Sequence, residues 1–358
     1  MPYTLYPTVD DLLQPALLSR LTGQPIDHVE TAAMHAFYNK SGSQLFTVET
    51  NHGQGPRLVL KRVSPAWDWQ MRITTDIHCR SVALWQYGIF DRLPAEVDAA
   101  VIACARDGDG WAILMRDVGP DMMPYAPFTP EDNETFLEAM AAIHAAFLDC
   151  PDLAAGSLGL CTLRQVYTLF GPETGHQEPD DDVPRRVLEG WVLFPEVVPR
   201  DVADVVLELV HNPDPLCRAL SRFPHTLAHG DWRHANQGLD RRHQPPKTIL
   251  LDWQLAAFAP PVIDLARYLE TNSALLPGSK EETIALYRRA LARRLGPRFS
   301  DEWWQPQLEL GLLGGFVQDG WAIALKATRW HITAHQRPHW QADLQWWSEQ
   351  VRQGVKWL

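Results

Sequence analysis

The sequence predicts an α+β chain of two lobes, a β-rich N-terminal lobe over 1–118 and a helical C-terminal lobe over 119–358. Three observations carry this. Up to Met115 the apolar runs are short, partly alternating and bounded by turn clusters. From Thr129 onward the apolar residues recur at helical spacing over longer stretches. Inside the helical lobe a short pair of runs, Gln237 to Asp240 and Thr248 to Leu251, flanks a polar Arg241–Lys247 turn and reads as a hairpin. With 46% hydrophobic and 21% charged residues over 358 positions, the balance is that of a globular chain with a sizeable core.

Taken in order, Asp11 to Leu21 is expected as a short amphipathic helix. Ala36 to Glu49 reads as two strands around Asn39-Lys40-Ser41-Gly42-Ser43, with Leu45 to Glu49 alternating as a half-exposed strand does. A small turn containing glycine lets backbone N–H groups approach phosphate oxygens, although an ordinary hairpin turn has the same composition. Arg57 to Val63 is the next strand. Lys61 sits in it among Leu58, Val59, Leu60 and Val63, and a lysine in an apolar strand needs a partner to offset desolvation. A helix follows over Cys79–Tyr87, and Val97 to Ala103 with Trp111 to Met115 form a hairpin around residues 106–110. The change of pattern after Met115 makes Met115-Arg116-Asp117-Val118-Gly119-Pro120 the connection between the two lobes.

Thr129-Pro130 supplies an N-cap and a first-turn proline to a helix whose Phe136, Met140, Ile143 and Phe147 share one face. His144 beside that stripe reads as a packed or capping histidine. Residues 171–184 carry Glu173, Glu178 and Asp180-Asp181-Asp182 among prolines and glycines; a solvated loop is expected, with an acidic lid over a cationic substrate as its functional alternative. Arg185 to Ala219 and Glu281 to Leu295 read as helical scaffold. Leu308 to Ala327 is a long apolar run, but Glu309, Asp319 and Lys326 interrupt it, so a buried helix is expected rather than a membrane span. Eight of the 15 tryptophans lie beyond residue 300 and read mostly as packing anchors.

Composition excludes several classes. The five cysteines are odd in number and lack Cys-x-x-Cys spacing, so no disulfide framework or zinc ribbon is expected. Met1 to Leu13 has no basic region followed by an apolar core, so no signal peptide is expected, and this cysteine usage makes a reducing cytoplasm the simplest compartment. A formal charge of −12 repels nucleic acid and is compatible with a cationic substrate. His225, His229 and His234 lack the further ligand of fixed spacing that a zinc site would need. Nothing in the sequence bears on oligomeric state.

The chemistry concentrates in His229-Gly230-Asp231-Trp232-Arg233-His234-Ala235-Asn236, then Ile249-Leu250-Leu251-Asp252, then Asp264-Leu265-Ala266. Phosphoryl transfer needs a carboxylate to position the attacking hydroxyl and oxygen ligands for Mg²⁺ on the nucleotide phosphates. Asp231 and Asn236 have the spacing of a kinase catalytic loop, and Asp252 closes an apolar run as the second metal ligand would. The expected hairpin would present Asn236 and Asp252 at one end.

Gly230 replaces the arginine of the protein-kinase motif, Trp253-Gln254 follows Asp252 in place of Phe-Gly, and no Ala-Pro-Glu follows. The segment instead resembles the aminoglycoside phosphotransferase and choline kinase family of small-molecule kinases, most strongly over 225–270. The resemblance implies a two-lobed protein-kinase-like fold with ATP between the lobes, and transfer of the γ-phosphate to a small-molecule hydroxyl. By it Asp231 is the catalytic base, His229 and Asp264 support the loop, and Asn236 and Asp252 hold Mg²⁺. Lys61 and the Ser41-Gly42-Ser43 turn bind ATP phosphates, Met115 lies behind the adenine, and Arg116 C=O and Val118 N–H contact its edge. Asp319 and Trp321 would border the substrate cleft. The sequence departs from the family at Ser81, where a helix Glu should pair with Lys61; Asp76 or Asp68 could substitute, or Lys61 has no permanent partner until nucleotide binds. The rival readings are a nucleotide-binding pseudokinase, and a kinase for choline, homoserine or a sugar.

Overall fold

A computed structural model describes residues 1–37, 39–331 and 334–358; Tyr38, in the first expected strand, lies outside the described residues. The chain divides into two compact units, Met1–Met123 with Ala235–Gln254 and Pro124–His234 with Leu255–Leu358. The first segment thus runs past Val118, and the motif hairpin groups with it.

In the first unit, α1 (Val9–Leu12) and α2 (Pro15–Thr22) replace the single expected helix. Pro15 has no N–H to continue a helix but suits the first turn of a new one. Strands β1 (Val29–Met34), β2 (Gln44–Thr50) and β3 (Leu58–Val63) are followed by α3 (Trp69–Ile73) and α4 (Arg80–Gln86). β4 (Val97–Asp98), β5 (Val101–Asp107) and β6 (Gly110–Arg116) complete the N-terminal segment. An antiparallel sheet runs in the order β1-β2-β3-β6-β5. β1 starts earlier than expected because five of its six residues are exposed, so no apolar alternation marks it; its pairing with β2, from Val29 opposite Thr50 to Met34 opposite Leu45, defines it instead. The expected strand 97–103 is broken where Asp98 Oδ1 accepts the Ala100 N–H at 2.7 Å and Ala100 turns to φ 58°. The core gathers Leu58, Leu60 and Val63, Ala112 to Leu114, Val82 and Trp85, and Leu12, Leu17 and Leu18.

Strand β7 (Thr226–Ala228) belongs to the second unit, and β8 (Gln237–Asp240) and β9 (Lys247–Leu250) form the hairpin of the first. β8 and β9 pair antiparallel, from Gln237 opposite Leu250 to Asp240 opposite Lys247, and β4 adds to β9 in parallel. The second unit pairs β7 with β10 (Ala257–Ala259) and is otherwise helical. Helices α5 (Pro130–Ala146), α6 (Pro151–Ala154), α7 (Leu163–Thr168) and α8 (Pro172–Gln177) lead to α9 (Asp182–Val197), α10 (Arg200–His211) and α11 (Asp214–Leu220). After β10 come α12 (Val262–Thr271), α13 (Lys280–Leu295), α14 (Asp301–Thr328) and α15 (Arg337–Gly354).

Thr129 caps α5 by accepting the Asp132 N–H at 3.1 Å, as the sequence indicates. The expected loop 171–184 is instead α8 and the start of α9. Pro172 opens α8, Thr174 and Gly175 are buried, and Asp182 pairs with Arg185 and Arg186 at 2.9 and 3.0 Å. That aspartate's charge is therefore engaged within its own helix. α14 is buried almost continuously from Gln307 to Leu325, as expected of a helix apolar on all sides. Trp304, Trp340 and Trp347 are packing anchors in this unit, Trp347 stacking on Phe316 at 6.1 Å. Among the described residues no helix is long and apolar enough to cross a membrane.

Candidate active site

In the first unit Lys61 lies on β3 and Asp252 follows β9. The chain turns sharply there: Asp252 adopts φ 65°, a left-handed conformation that aspartate tolerates better than most residues, and Trp253 locks the bend by donating its indole N–H to Leu250 O at 2.9 Å. Asn236 O accepts the Leu251 N–H at 2.8 Å, one step beyond the Gln237–Leu250 pair. The hairpin therefore carries Asn236 and Asp252 at the same end.

Lys61 Nζ donates to Asp252 Oδ1 at 2.8 Å. Burial opposes the Lys61 ammonium, but the Asp252 carboxylate outweighs it and moves the Lys61 pKa up. Lys61 thus pairs with Asp252, a partner the sequence did not suggest for it, and Ser81 is buried in α4. Of the two proposed substitutes for the missing glutamate, Asp68 acts on Lys61 through its charge, while Asp76 accepts the Arg80 N–H at 3.0 and 3.1 Å at the start of α4.

Asp68 ties the Ser41–Ser43 turn to α3. Its Oδ2 accepts from Ser41 Oγ at 3.0 Å, and its Oδ1 accepts from Met71 N at 3.1 Å and Gln254 Nε2 at 2.9 Å. Burial pushes its pKa up to about 6 against the pull of Lys61 and these donors. Gly42 is at φ 100°, and a Cβ there would lie 2.0 Å from Trp67 O, so no other residue fits. Ser43 Oγ donates to Asn39 Oδ1 at 2.7 Å. At the connecting segment, half-buried Met115 on β6 lies opposite Val59 and Val101. Arg116 N and Asp117 N donate to Ala100 O and Arg57 O, both at 3.0 Å, and Val118 packs on Ala100 and Ile249.

In the second unit the loop after β7 is fixed by one buried carboxylate. Asp264, in the first turn of α12, accepts the backbone N–H groups of His229 and Gly230, both at 2.7 Å. His144 holds Asp264 in turn, with Nε2 at 3.1 Å from Oδ2 and Nδ1 at 2.6 Å from the Tyr287 hydroxyl. Gly230 stands at φ 81°, and a Cβ there would be 2.2 Å from Leu255 O, which explains why the arginine of the protein-kinase motif has no counterpart. His229 Nδ1 accepts the Asp231 N–H at 3.2 Å.

The Asp231 side chain is bracketed by two arginines. Arg267 Nη2 and Nε donate to Oδ1 at 2.8 and 3.0 Å, and Arg233 Nε donates to Oδ2 at 3.0 Å. Burial would push the carboxyl up, but Arg233 and Arg267 hold it well below the usual carboxylate range. Arg267 also pairs with Asp319, lies 3.8 Å from Glu270 and sits over the Phe170 ring. Glu270, bonded by Lys326 at 3.2 Å, is pushed up to about 7 by burial, with Asp319 adding to the effect. Asp319 therefore belongs to the Asp231 network, while Trp321, two residues on along α14, packs behind Phe170 at 6.0 Å. His225 Nδ1 lies 2.7 Å from Phe223 O, and His225, His229 and His234 form no metal-competent group among the described residues.

Sequence reasoning missed the roles of Arg233, Arg267 and Tyr287, whereas His144, read as a packed or capping histidine, is buried and holds Asp264. The first two stand beside recognised motif residues, two after Asp231 and one after Ala266, but their role depends on an unpredictable approach in space. Arg267 and Asp231 are 36 positions apart, and His144 and Asp264 are 120 apart.

Residues 201–296 match the model of the ecdysteroid kinase-like family, a span that includes all the motif residues from His229 to Asp264. No curated protein matches the sequence. Among solved structures, a microcompartment-associated aminopropanol kinase is 14% identical, with a TM-score of 0.52 over 96% of this chain and 100% of its own. The ethanolamine kinase of Plasmodium vivax is 11% identical, with a TM-score of 0.50 over 89% and 82%, and the choline kinase of Cryptosporidium parvum 10% identical, with 0.50 over 92% and 90%. The chain has the kinase-like fold of small-molecule phosphotransferases.

Proposed function

We propose that this chain, built on the kinase-like fold of small-molecule phosphotransferases, transfers the γ-phosphate of ATP to a hydroxyl of a small molecule. The observation that carries the reading is the β8–β9 hairpin, with Asn236 and Asp252 at one end and Lys61 bonded to Asp252. The donor set is of hard oxygens, the side-chain carbonyl of Asn236 and the carboxylate of Asp252, which suits Mg²⁺ rather than a softer metal. Bound there, Mg²⁺ would neutralise charge on the nucleotide phosphates. Lys61 binds the α and β phosphates, the Ser41–Ser43 turn covers the phosphates, and Met115 with Arg116 C=O and Val118 N–H receives the adenine.

Asp231 accepts a hydrogen bond from the acceptor hydroxyl and aims it. A carboxylate held so far below its ordinary range is a weak proton acceptor, which is compatible with a loose transition state that requires little proton removal before the P–O bond breaks. Asp264 and His229 keep the loop in the one conformation that presents it.

The charges near Asp231 bear on the acceptor. Asp231, Asp319 and Glu270 are matched by Arg233, Arg267 and Lys326, so this group has no excess negative charge to attract a cation. That favours a neutral polyol, the hydroxysteroid of the matched family's name included, over a polycationic aminoglycoside. The test is Mg²⁺-dependent ATP consumption across hydroxysteroids, sugars, macrolides, amino alcohols including choline, homoserine and aminoglycosides. Turnover with at least one acceptor is expected. ATP binding without turnover across the whole panel would overturn the enzyme reading in favour of a pseudokinase.

A further inference from the structure

On the first unit three side chains converge that the phosphotransfer reading does not use. His28, just before β1, Glu30 on β1 and His52, just after β2, each offer a ligand atom, and these atoms all lie within 4.8 Å of one another. His28 Nε2 is 2.6 Å from Glu30 Oε1, and the His28 and His52 rings stack with centroids 3.9 Å apart.

The backbone is bent to make this arrangement. Asn51, His52 and Gly53 take φ values of 50°, 51° and 82°, so two consecutive residues with side chains occupy the left-handed region. Such residues are strained and persist only where their surroundings hold them. Asn51 is held by its own side chain, whose Oδ1 accepts from Asp27 N at 2.9 Å and whose Nδ2 donates to Pro25 O at 2.8 Å. The same residue thus anchors the segment carrying His28 and turns the chain so that His52 lies over it. His28 and Glu30, two apart along extended chain, face the same side.

Charge supplies a second, independent pointer. Glu30 stands directly opposite Glu49 in the β1–β2 pair, and the Glu49 carboxylate lies 3.1 Å from where a Cβ on Gly53 would be. Like charges directly opposite on antiparallel strands are destabilising, and a cation held at Glu30 reduces the penalty.

We propose that His28, Glu30 and His52 form a binding site for a divalent transition-metal ion of the zinc class, with water completing the shell. Two imidazole nitrogens and one carboxylate oxygen are a zinc-type donor set, whereas Mg²⁺ prefers oxygen ligands and its own waters. At metal–ligand bonds of about 2.0–2.1 Å, tetrahedral ligand atoms stand roughly 3.3 Å apart, so the half-exposed His28 and exposed Glu30 and His52 need only close inward by a change of rotamer. The ion would pin β1, an edge strand with five of six residues exposed, to the turn that follows β2.

The test uses the full chain without a histidine tag, stripped with chelator and titrated calorimetrically with ZnCl₂ in excess Mg²⁺. One saturable equivalent is expected, with a rise in melting temperature. His28→Ala combined with His52→Ala should remove that step, and Glu30→Gln should weaken it by no less than the roughly tenfold typical of a lost outer-shell partner. Co²⁺ as a probe should develop visible ligand-field bands in the wild type and not in the double variant. These side chains are solvent-accessible, so the variants fold and ATP binding serves as their control. A Zn²⁺ isotherm unchanged in the double variant, or one abolished by excess Mg²⁺, would overturn the proposal.

Discussion

Lys61 and Asp231 are both buried charges, opposite in sign, and they are held in opposite ways. Lys61 meets one hydrogen-bonded carboxylate, Asp252, whose side chain remains 29% exposed. Asp231 is bonded by two arginines, one of them shared with Asp319, on a loop whose backbone is fixed by Asp264, His144 and Tyr287. A single pair that water can reach exchanges its partner easily, whereas several bonds shielded from water must break together. The first arrangement suits a lysine that must leave a carboxylate for a phosphate. The second suits a carboxylate that must keep one direction.

The largest expected effect tests that second arrangement through rate. Asp231→Asn should lower kcat roughly 10²–10⁴-fold with the ATP dissociation constant unchanged, read by steady-state kinetics with the acceptor that supports turnover. Turnover within a few-fold of wild type would remove Asp231 from the chemistry. Next, Arg267→Leu removes the buried partner that Asp231 and Asp319 share, and unfolding by urea should show a loss of about 3–5 kcal/mol. A loss near zero would mean that the network is not a unit.

A pH series separates the Asp68 tie of the first unit from the rest. Its folded pKa, about 6, is raised from the ordinary 3.8, so its protonated form is favoured by folding; that stabilisation is complete below about pH 4 and is lost as pH rises past 6. Asp68→Asn stays neutral throughout. Its stability relative to wild type should therefore climb by up to about 3 kcal/mol between pH 4 and 7.5, and a flat difference would contradict the raised pKa. The smallest effect is expected at the Lys61–Asp252 pair, whose carboxylate water reaches: Lys61→Met should cost less stability than Arg267→Leu. The same variant should lose most of the melting-temperature rise that Mg-ATP gives the wild type. An unchanged rise would mark Lys61 as an ordinary strand lysine.

The sequence made legible what depends on neighbours along the chain. The β8–β9 hairpin follows from two apolar runs around a polar turn, and the α5 start from Thr129-Pro130. Asp231, Asn236 and Asp252 stood out through spacing. What stayed hidden depends on encounters in space: Lys61 finds Asp252 191 positions away, and no local pattern announces Arg267 as a partner of Asp231. Two misreadings share one cause. β1 and α8 are built largely of exposed polar or small residues, so neither shows the apolar periodicity by which elements are recognised, and both exist because a neighbour, β2 or α9, pairs with or covers them.

The parallel pairing of β4 with β9 has a consequence for biosynthesis. Val97 and Asp98 must wait for Thr248 and Ile249, which leave the ribosome 151 residues later. At synthesis rates of about 5–20 residues per second, that interval is roughly 8–30 seconds. Throughout it Ala100 and Val118 lack the Ile249 side chain that covers them in the finished unit. A nascent chain arrested before residue 247 should therefore expose this patch to proteases and chaperones, and one arrested well after 254 should not.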